Sequence, residues 1–339
     1  MKILLVGDPH IVVSEMDDAV RMRNQVQRIE REENPDFILW MGDLFDNFGL
    51  KDIEVERFWQ ETFDYRDGTA RHIALVGNHD RKGDRASDAN ALQVFDDREG
   101  VVTIVDSPLS IDPLGLSIDP LELGGVGFLP FYFTPEDFLK AADTITDRVK
   151  TLFCHQALAG AVYDSGHKVE DGANAEGLPF ELVVSGHIHT AQSFGKVWYP
   201  GSCRWRTAHD VNKVKSLWLL TIEDGHIVSS KEFKSECSPL IGILDDEEST
   251  VGVSATNLKA RYLVDIKGSK MYIDSRSKEW KAYPNVRIRT ISTEKKSIKV
   301  RESEGIEVAF RKYQEIFKPT RGTPPDVLAK LVRERFANV

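Results

Sequence analysis

The chain alternates short apolar runs with longer amphipathic stretches over its first half. Residues 3–6 and 36–41 are largely apolar and each run stops at a glycine, which is typical of strands buried on both faces of a sheet. Residues 14–33 contain neither Pro nor Gly, so we predict a helix there with Ser14 as its N-cap. A second helix is predicted over Ile53–Phe63. This alternation of strands and helices predicts a layered α/β fold.

The middle of the chain keeps the alternation but is richer in turns. Thr134 and Pro135, followed by two acidic residues, are helix-start signals and predict a helix from that point. Pro, Gly and Asp are frequent in residues 107–127, which predicts hairpins and turns. Further strands are predicted at residues 73–76, 101–105, 126–130, 150–154 and 182–184, with a closing hairpin at residues 216–222 and 226–231.

A polar, acidic stretch at residues 244–250 is predicted to separate domains. We assign residues 1–243 to a main domain and residues 251–300 to a small βαβ cap. The remaining residues, 301–339, are predicted to form a helix-loop-helix whose last helix carries an apolar stripe.

Composition places the chain among globular proteins, with 41% hydrophobic and 29% charged residues. Every apolar run falls short of the roughly 18 residues that a membrane span needs, and the N-terminus passes directly from a short apolar segment into Asp8. We therefore expect no membrane association and a cytoplasmic location. The cysteines Cys154, Cys203 and Cys237 fit neither a disulfide framework nor a zinc spacing, and they are predicted to be buried free thiols.

The net charge of −10 is unevenly distributed along the chain. Residues 256–339 contain 20 Lys and Arg against 10 Asp and Glu, whereas the preceding residues contain 24 against 44. A basic C-terminal third can contact phosphates or dock on an acidic partner. The alternative is a solvated surface without such a role.

Five predicted strands end in side chains of the kind that bind metals. In order these motifs are Asp8-x-His10, Gly42-Asp43, Gly77-Asn78-His79-Asp80, His155-Gln156 and Gly186-His187-Ile188-His189. One such motif is ordinary loop chemistry, but five at successive strand ends indicate a shared site. Nitrogen and oxygen donors without thiolate suit Mn, Fe or Zn. Two octahedral ions that share one carboxylate would use about this many ligands.

This series resembles the pattern of the calcineurin-like metallophosphoesterases, which is D-x-H, G-D, G-N-H-D/E, H and G-H-x-H, over residues 8–189. The resemblance implies a four-layer α/β/β/α sandwich, here with a small α+β cap and a C-terminal helical hairpin. It also implies two divalent cations. One would be held by Asp8, His10, Asp43 and His189, and the other by Asp43, Asn78, His155 and His187. His79 would be the catalytic histidine and Asp80 would orient its ring.

Within the family, the motifs Gly42-Asp43-Leu44-Phe45-Asp46 and Trp198-Tyr199-Pro200-Gly201-Ser202 are similar to those of SbcD-type nucleases, and the layout resembles the T-even phage version. That branch implies a Mn²⁺-dependent DNA exo- and endonuclease, with Mg²⁺ as the alternative ion, acting in repair and recombination. It implies a homodimer through Ile53–Phe63 within a heterotetramer, a DNA-contacting cap and a tail that binds an SMC-like ATPase of the SbcC type. The location would be the host cytoplasm for a phage protein. The alternatives are a stand-alone phosphodiesterase or phosphatase for small substrates, and a scaffold of the same fold without metals.

Several basic residues near the motifs have two interpretations. Arg81 and Lys82 either contact substrate phosphates or lie in a solvated loop, and Arg204 and Arg206 either hold phosphates or belong to an edge strand. The polar, glycine-rich residues 160–177 predict a mobile loop over the site, in which His167 is either a substrate contact or solvent-exposed. Three histidines outside the motifs are predicted to be surface or turn residues, namely His72, His209 and His226.

Overall fold

The computed structural model describes residues 1–47, 52–65, 68–81, 89–96, 101–111, 125–145, 149–249, 257 and 259–293. In chain order the strands are β1 (Lys2–Val6), β2 (Phe37–Trp40), β3 (Arg71–Leu75), β4 (Val102–Val105), β5 (Leu109–Ile111), β6 (Val126–Leu129), β7 (Thr151–His155), β8 (Leu182–Gly186), β9 (Gln192–Phe194), β10 (Val197–Tyr199), β11 (Ser216–Glu223), β12 (His226–Lys234), β13 (Leu240–Asp246), β14 (Arg261–Gly268) and β15 (Val286–Ser292). The α-helices are α1 (Met16–Glu33), α2 (Ile53–Phe63), α3 (Pro135–Asp143) and α4 (Lys270–Trp280).

Two six-stranded sheets form the centre of the main unit. The first has the order β12-β11-β1-β2-β3-β4, with β1 to β4 parallel. β11 is antiparallel to β1 and pairs with β12 in the predicted closing hairpin. The second has the order β5-β6-β7-β8-β10-β9, with β6, β7, β8 and β10 parallel. Parallel neighbours place their carboxyl ends at one edge, which is where α/β sheets bind ligands.

The sandwich is held together by three apolar layers. Between the sheets, Leu5 and Leu39 of the first pack with Phe128 and Phe153 of the second. The outer face of the first sheet packs against α1 and α2, and the outer face of the second packs against α3. Strands buried on both faces explain why their sequences are apolar almost throughout. The predicted α/β sandwich is confirmed.

The helices predicted within the described residues are present, but one predicted helix start is wrong. Thr134 caps α3, since its hydroxyl accepts the Asp137 N–H at 3.1 Å. Ser14 does not cap α1, because it lies in a 3-10 turn at Val13–Glu15 and the helix begins only at Met16. β13 runs through the first residues of the predicted boundary at residues 244–250, and that boundary stays a prediction.

The described chain divides into two compact units, Met1–Gly242 with Ala255–Leu263 and the remainder. The predicted helix-loop-helix at residues 301–339 lies outside the described residues, and the three-domain division stays a prediction. No helix of the described part has the length and apolar character needed to cross a membrane.

The second unit contains the predicted strand–helix–strand order, formed by β14 from Val264 onwards, α4 and β15. Asp245 anchors α4, because its carboxylate accepts hydrogen bonds from Tyr272 at 2.7 Å, Arg276 at 2.7 Å and Trp280 at 2.5 Å. A further ion pair joins Arg289 to Asp265 at 2.6 Å. Part of the positive charge of the predicted cap is therefore neutralised within this unit.

Candidate metal centre

The candidate ligands follow the carboxyl ends of five strands, three parallel strands of the first sheet and two parallel strands of the second. Asp8 and His10 follow β1, Asp43 follows β2, Asn78 follows β3, His155 ends β7, and His187 and His189 follow β8. These strands belong to both sheets, so the site lies where the two layers of the sandwich meet.

The side chains form two adjoining clusters that share one carboxylate. Asp8, His10 and His189 make up the first cluster, and Asp43, His155 and His187 make up the second, with the ligand atoms of each within 4.8 Å of one another. Asp43 Oδ2 lies 3.5 Å from His10 Nε2 and 3.3 Å from His155 Nε2, which places its carboxylate between the clusters. This is the arrangement that a bridging ligand requires.

Asn78 adds a neutral oxygen to the second cluster. Its Oδ1 lies 2.8 Å from His187 Nδ1 and 3.2 Å from His155 Nε2. The structure thus brings all seven predicted ligands together. Their assignment to individual cations stays a prediction.

The backbone of the site is held in conformations that most residues avoid. Four candidate ligands have positive φ, namely Asp8 (31°), His10 (45°), Asp43 (51°) and His187 (80°). Two glycines are required by close approach. A Cβ on Gly42 would lie 2.4 Å from His155 Nδ1, and a Cβ on Gly77 would lie 2.2 Å from Asp43 Oδ1.

Backbone groups orient several of the ligands. The Nδ1–H of His155 donates to the Met41 carbonyl at 2.7 Å, so Nε2 is left as the lone-pair nitrogen in the neutral ring. Asp8 Oδ1 accepts the His187 N–H at 2.8 Å, and Asp43 Oδ1 accepts the His79 N–H at 2.8 Å. Each contact fixes a ring or carboxylate before any ion binds.

Burial shifts the pKa values of the carboxyl groups and of the imidazoles in opposite directions. Burial raises the pKa of Asp8 and lowers the pKa of His10 and of His187, the last to about 3. Burial would also raise the pKa of Asp43, but His155 beside it holds that pKa well below its usual value. Although burial opposes it, the Asp43 carboxylate raises the pKa of His155 to about 9.

The donor set fits divalent cations. Asp8 Oδ2 is buried without a hydrogen-bond partner among the described residues, and the Nε2 atoms of His10 and His189 lie only 2.9 Å apart. Buried polar atoms of this kind are costly unless something pairs with them. Carboxylate, amide and imidazole donors would satisfy a hard or borderline cation such as Mn²⁺, Mg²⁺ or Zn²⁺.

Residues 1–191 match the model of the calcineurin-like phosphoesterases. The chain belongs to this family. Its members use divalent metals, so the chain is a member of a family of metal-dependent hydrolases, and the two clusters are its candidate metal ligands.

Three known proteins share limited sequence identity with this phosphoesterase. Putative phosphoesterase 078R of Invertebrate iridescent virus 3 is 28% identical over 220 residues, which cover 60% of this chain and 57% of that protein. The match thus spans little more than half the length of that relative. A hypothetical protein from Thermus thermophilus aligns with a TM-score of 0.40 and 13% identity over 69% of this chain and 98% of its own. GAP50, described as the anchor in the inner membrane complex of Plasmodium, aligns with a TM-score of 0.40 and 11% identity over 69% and 89%.

His79 lies at the edge of the metal centre of this phosphoesterase. Its ring lies 4.8 Å from the ring of His10, and its Nδ1–H donates to the Asp46 carbonyl at 2.5 Å. Both oxygens of Asp80 accept backbone N–H groups, from Phe45 at 3.0 Å and Gly77 at 3.0 Å. Asp80 is fully buried, and burial raises its pKa to about 6. It therefore fixes the loop that carries His79, while its contact with the ring stays a prediction.

Arg204 is turned into the protein and braces the first motif. It is completely buried and donates to the carbonyls of Pro9 and His10, each at 2.6 Å. This place does not suit a phosphate contact, so the structure corrects that interpretation. Arg206 is partly exposed and forms a two-point ion pair with Asp46 at 2.9 and 2.7 Å, and its phosphate contact stays a prediction.

The other predicted contacts near the metal centre have mixed outcomes. Arg81 is largely buried and donates to the Phe131 carbonyl at 3.2 Å. Lys82 lies outside the described residues. The surface assignment of His72 is wrong, because this ring is buried, stacks on Trp40 and accepts its indole N–H at 3.1 Å.

Two carboxylates beside the metal centre were missed. Asp46 Oδ1 lies 3.6 Å from His10 Nδ1, and Asp164 Oδ2 lies 3.7 Å from His189 Nδ1. Carboxylates behind ligating histidines commonly orient the rings. The position of Asp46, three residues after Asp43, was a signal that could have found it. Asp164 lies in the glycine-rich loop and carried no such signal.

Proposed function

We propose that this phosphoesterase hydrolyses DNA phosphodiester bonds as a Mn²⁺-dependent exo- and endonuclease of the SbcD type. The observation that carries the proposal is the pair of adjoining nitrogen–oxygen clusters with the Asp43 carboxylate between them. The strand-end motifs that form it resemble those of SbcD-type nucleases. The name of the viral relative supports phosphoester hydrolysis in general.

In this proposal the residues of the site have distinct roles in metal binding, proton donation and loop positioning. Asp8, His10, Asp43 and His189 would hold one cation, and Asp43, Asn78, His155 and His187 would hold the other. Bound divalent cations supply a water of lowered pKa and positive charge facing the phosphoryl oxygens. His79 would give a proton to the leaving oxygen of the DNA strand. Asp80 and Arg204 would keep the two surrounding loops in place.

The test is DNA cleavage by the purified chain supplied with Mn²⁺. We expect the wild type to cut linear duplex or single-stranded DNA, and His79→Ala to lose at least about 100-fold in rate. Metal content, measured by equilibrium dialysis, should stay unchanged in that variant. His226→Ala is the matched control, because His226 is an exposed histidine that pairs with Glu181 at 3.2 Å.

Two results would contradict this proposal. Full cleavage by His79→Ala would overturn the role of His79. Turnover of a small phosphodiester reporter by a wild type that leaves DNA intact would favour a stand-alone phosphodiesterase.

We further propose that the chain works with an SMC-like ATPase and as a homodimer within a heterotetramer. The apolar stripe at residues 326–336 supports a docking role for the tail, and Ile53, 78% exposed at the start of α2, supports a contact there. Deleting residues 323–339 should abolish capture of the ATPase and leave Mn²⁺-dependent cleavage intact. Capture that survives the deletion would refute the docking role.

A further inference from the structure

A cleft of about 620 Å³ opens beside His187, on the side of the second cluster. Aromatic side chains, two carboxylates, one lysine and the exposed His167 line it. The residues that bear on its chemistry are Phe131, Phe133, Tyr163, Lys168, Glu170 and Asp171. The volume is in the range of small-molecule sites and suits a group of nucleotide size.

The aromatic rings lead from the metal centre into the cleft. The Phe131 ring stacks on His187, with centroids 5.7 Å apart and planes 23° apart. Phe133 meets Phe131 edge-to-face at 5.1 Å. Tyr163 approaches His187 edge-on at 6.2 Å. A group attached to a phosphate at the metal centre would therefore meet aromatic surface as it leaves the site.

Tyr163 is presented by an ordered turn. Its N–H donates to the His167 carbonyl at 2.8 Å, and its carbonyl accepts the Gly166 N–H at 2.8 Å. Gln192 clamps the preceding residue, Val162, through its N–H at 2.9 Å and its carbonyl at 2.8 Å. Tyr163 is nevertheless 38% exposed. An exposed aromatic ring on a fixed backbone loses little conformational freedom when a flat group stacks on it.

The charges of the cleft argue against a second phosphate there. Glu170 and Asp171 are exposed carboxylates, and Lys168 is the lysine beside them. Carboxylates repel a phosphodiester, but they accept hydrogen bonds from the amino groups of a neutral heterocycle. The cleft is thus suited to a nucleobase.

We infer that this cleft binds an unpaired nucleobase of the nucleotide that carries the cleaved phosphate, by stacking on Tyr163 and Phe133. This inference rests on the proposed function for the polymer to which the base belongs. A base inside a duplex has its faces covered by its neighbours, so it cannot stack on protein without leaving the helix. The cleft therefore selects single strands and frayed ends.

The test compares two ligands that differ only in the base. With Mn²⁺ present, we expect the full chain to bind deoxyadenosine 5′-monophosphate at least about fivefold more tightly than deoxyribose 5-phosphate in calorimetry. Tyr163→Leu should lose most of this preference, and Tyr163→Phe, which keeps the ring, should retain it. Phe133→Leu provides a second variant in case the first alters the turn.

The outcomes separate this inference from the nuclease proposal. Equal affinity of the wild type for both ligands would overturn the base site even if DNA is cut. A preference that survives in both leucine variants would do the same. A wild type that prefers the base-containing ligand but leaves single-stranded DNA intact would overturn the nuclease proposal and keep the base site.

Discussion

Replacing Arg204 with methionine tests whether this buried arginine braces the metal-centre loop or binds substrate. Its guanidinium donates to the carbonyls of Pro9 and His10, each at 2.6 Å, and pairs with Glu15 at 3.1 Å. These carbonyls lie in the segment where Asp8 and His10 adopt positive φ. The side chain therefore stabilises the strained loop by hydrogen bonds to its backbone. Methionine would keep much of the side-chain volume but none of the five N–H donors of arginine.

The expected loss of stability follows from the buried ion pair that the substitution breaks. Breaking a buried ion pair costs about 3–5 kcal/mol, because one charge remains buried without its partner. Glu15 would still pair with Arg261, at 2.7 Å, so it would not be left without a partner. We therefore expect Arg204→Met to lower the free energy of unfolding by about 3 kcal/mol, near the lower end of this range. For a unit of this size that corresponds to a fall in Tm of roughly 6–12 °C. The control Arg57→Met removes an exposed pair with Glu61 and should cost no more than about 1 kcal/mol.

The assay combines thermal unfolding with the steady-state kinetics of Mn²⁺-dependent hydrolysis of a small phosphodiester reporter. We expect Arg204→Met to melt well below both the wild type and the Arg57→Met control, and to bind Mn²⁺ more weakly. If Arg204 instead held substrate phosphate, the variant would melt with the control and show only a raised KM. That result would refute the bracing role.

Three further substitutions or treatments test other parts of the site and core. Gly77→Ala should abolish Mn²⁺ binding in equilibrium dialysis, because its Cβ would lie 2.2 Å from Asp43 Oδ1; normal binding would contradict the close approach. Asp164→Asn should weaken metal affinity about tenfold, since the carboxylate 3.7 Å from His189 Nδ1 would lose its charge; unchanged affinity would remove it from the site. Burial raises the pKa of Cys154 to about 12, so iodoacetamide at pH 8 should label this thiol only after unfolding, as mass spectrometry would show.

Local patterns predicted most of the main unit because its strands are buried on both faces. An apolar run such as β2 has one stable environment, and the ligand residue that follows it necessarily lies at the sheet edge. Thr134 was predictable for a similar reason, since its hydroxyl acts on its own helix. Ser14 failed because distant residues fix that segment, with Arg204 and Arg261 both paired to Glu15.

Buried polar groups were the part that patterns could not predict. His72 finds its partner in Trp40, and Arg204 finds its partners in Pro9 and His10, far away in the chain. A sequence pattern shows that a side chain is polar, but it does not show whether the interior supplies a partner. Arg204 could therefore be taken for a phosphate ligand until the fold placed it behind the loop.

The strain at the metal centre links its geometry to the rest of the fold. Positive φ costs of the order of 1–3 kcal/mol for a residue other than glycine, and four candidate ligands adopt it, namely Asp8, His10, Asp43 and His187. Their sum approaches the whole stability of an ordinary domain, about 5–15 kcal/mol. Such loops persist because buried strand ends fix the start of each turn and because buried groups such as Arg204 and Asp80 hydrogen-bond to the backbone that follows. The folding free energy of the sandwich thus offsets the backbone strain of the turns that hold the seven ligand side chains close to one another.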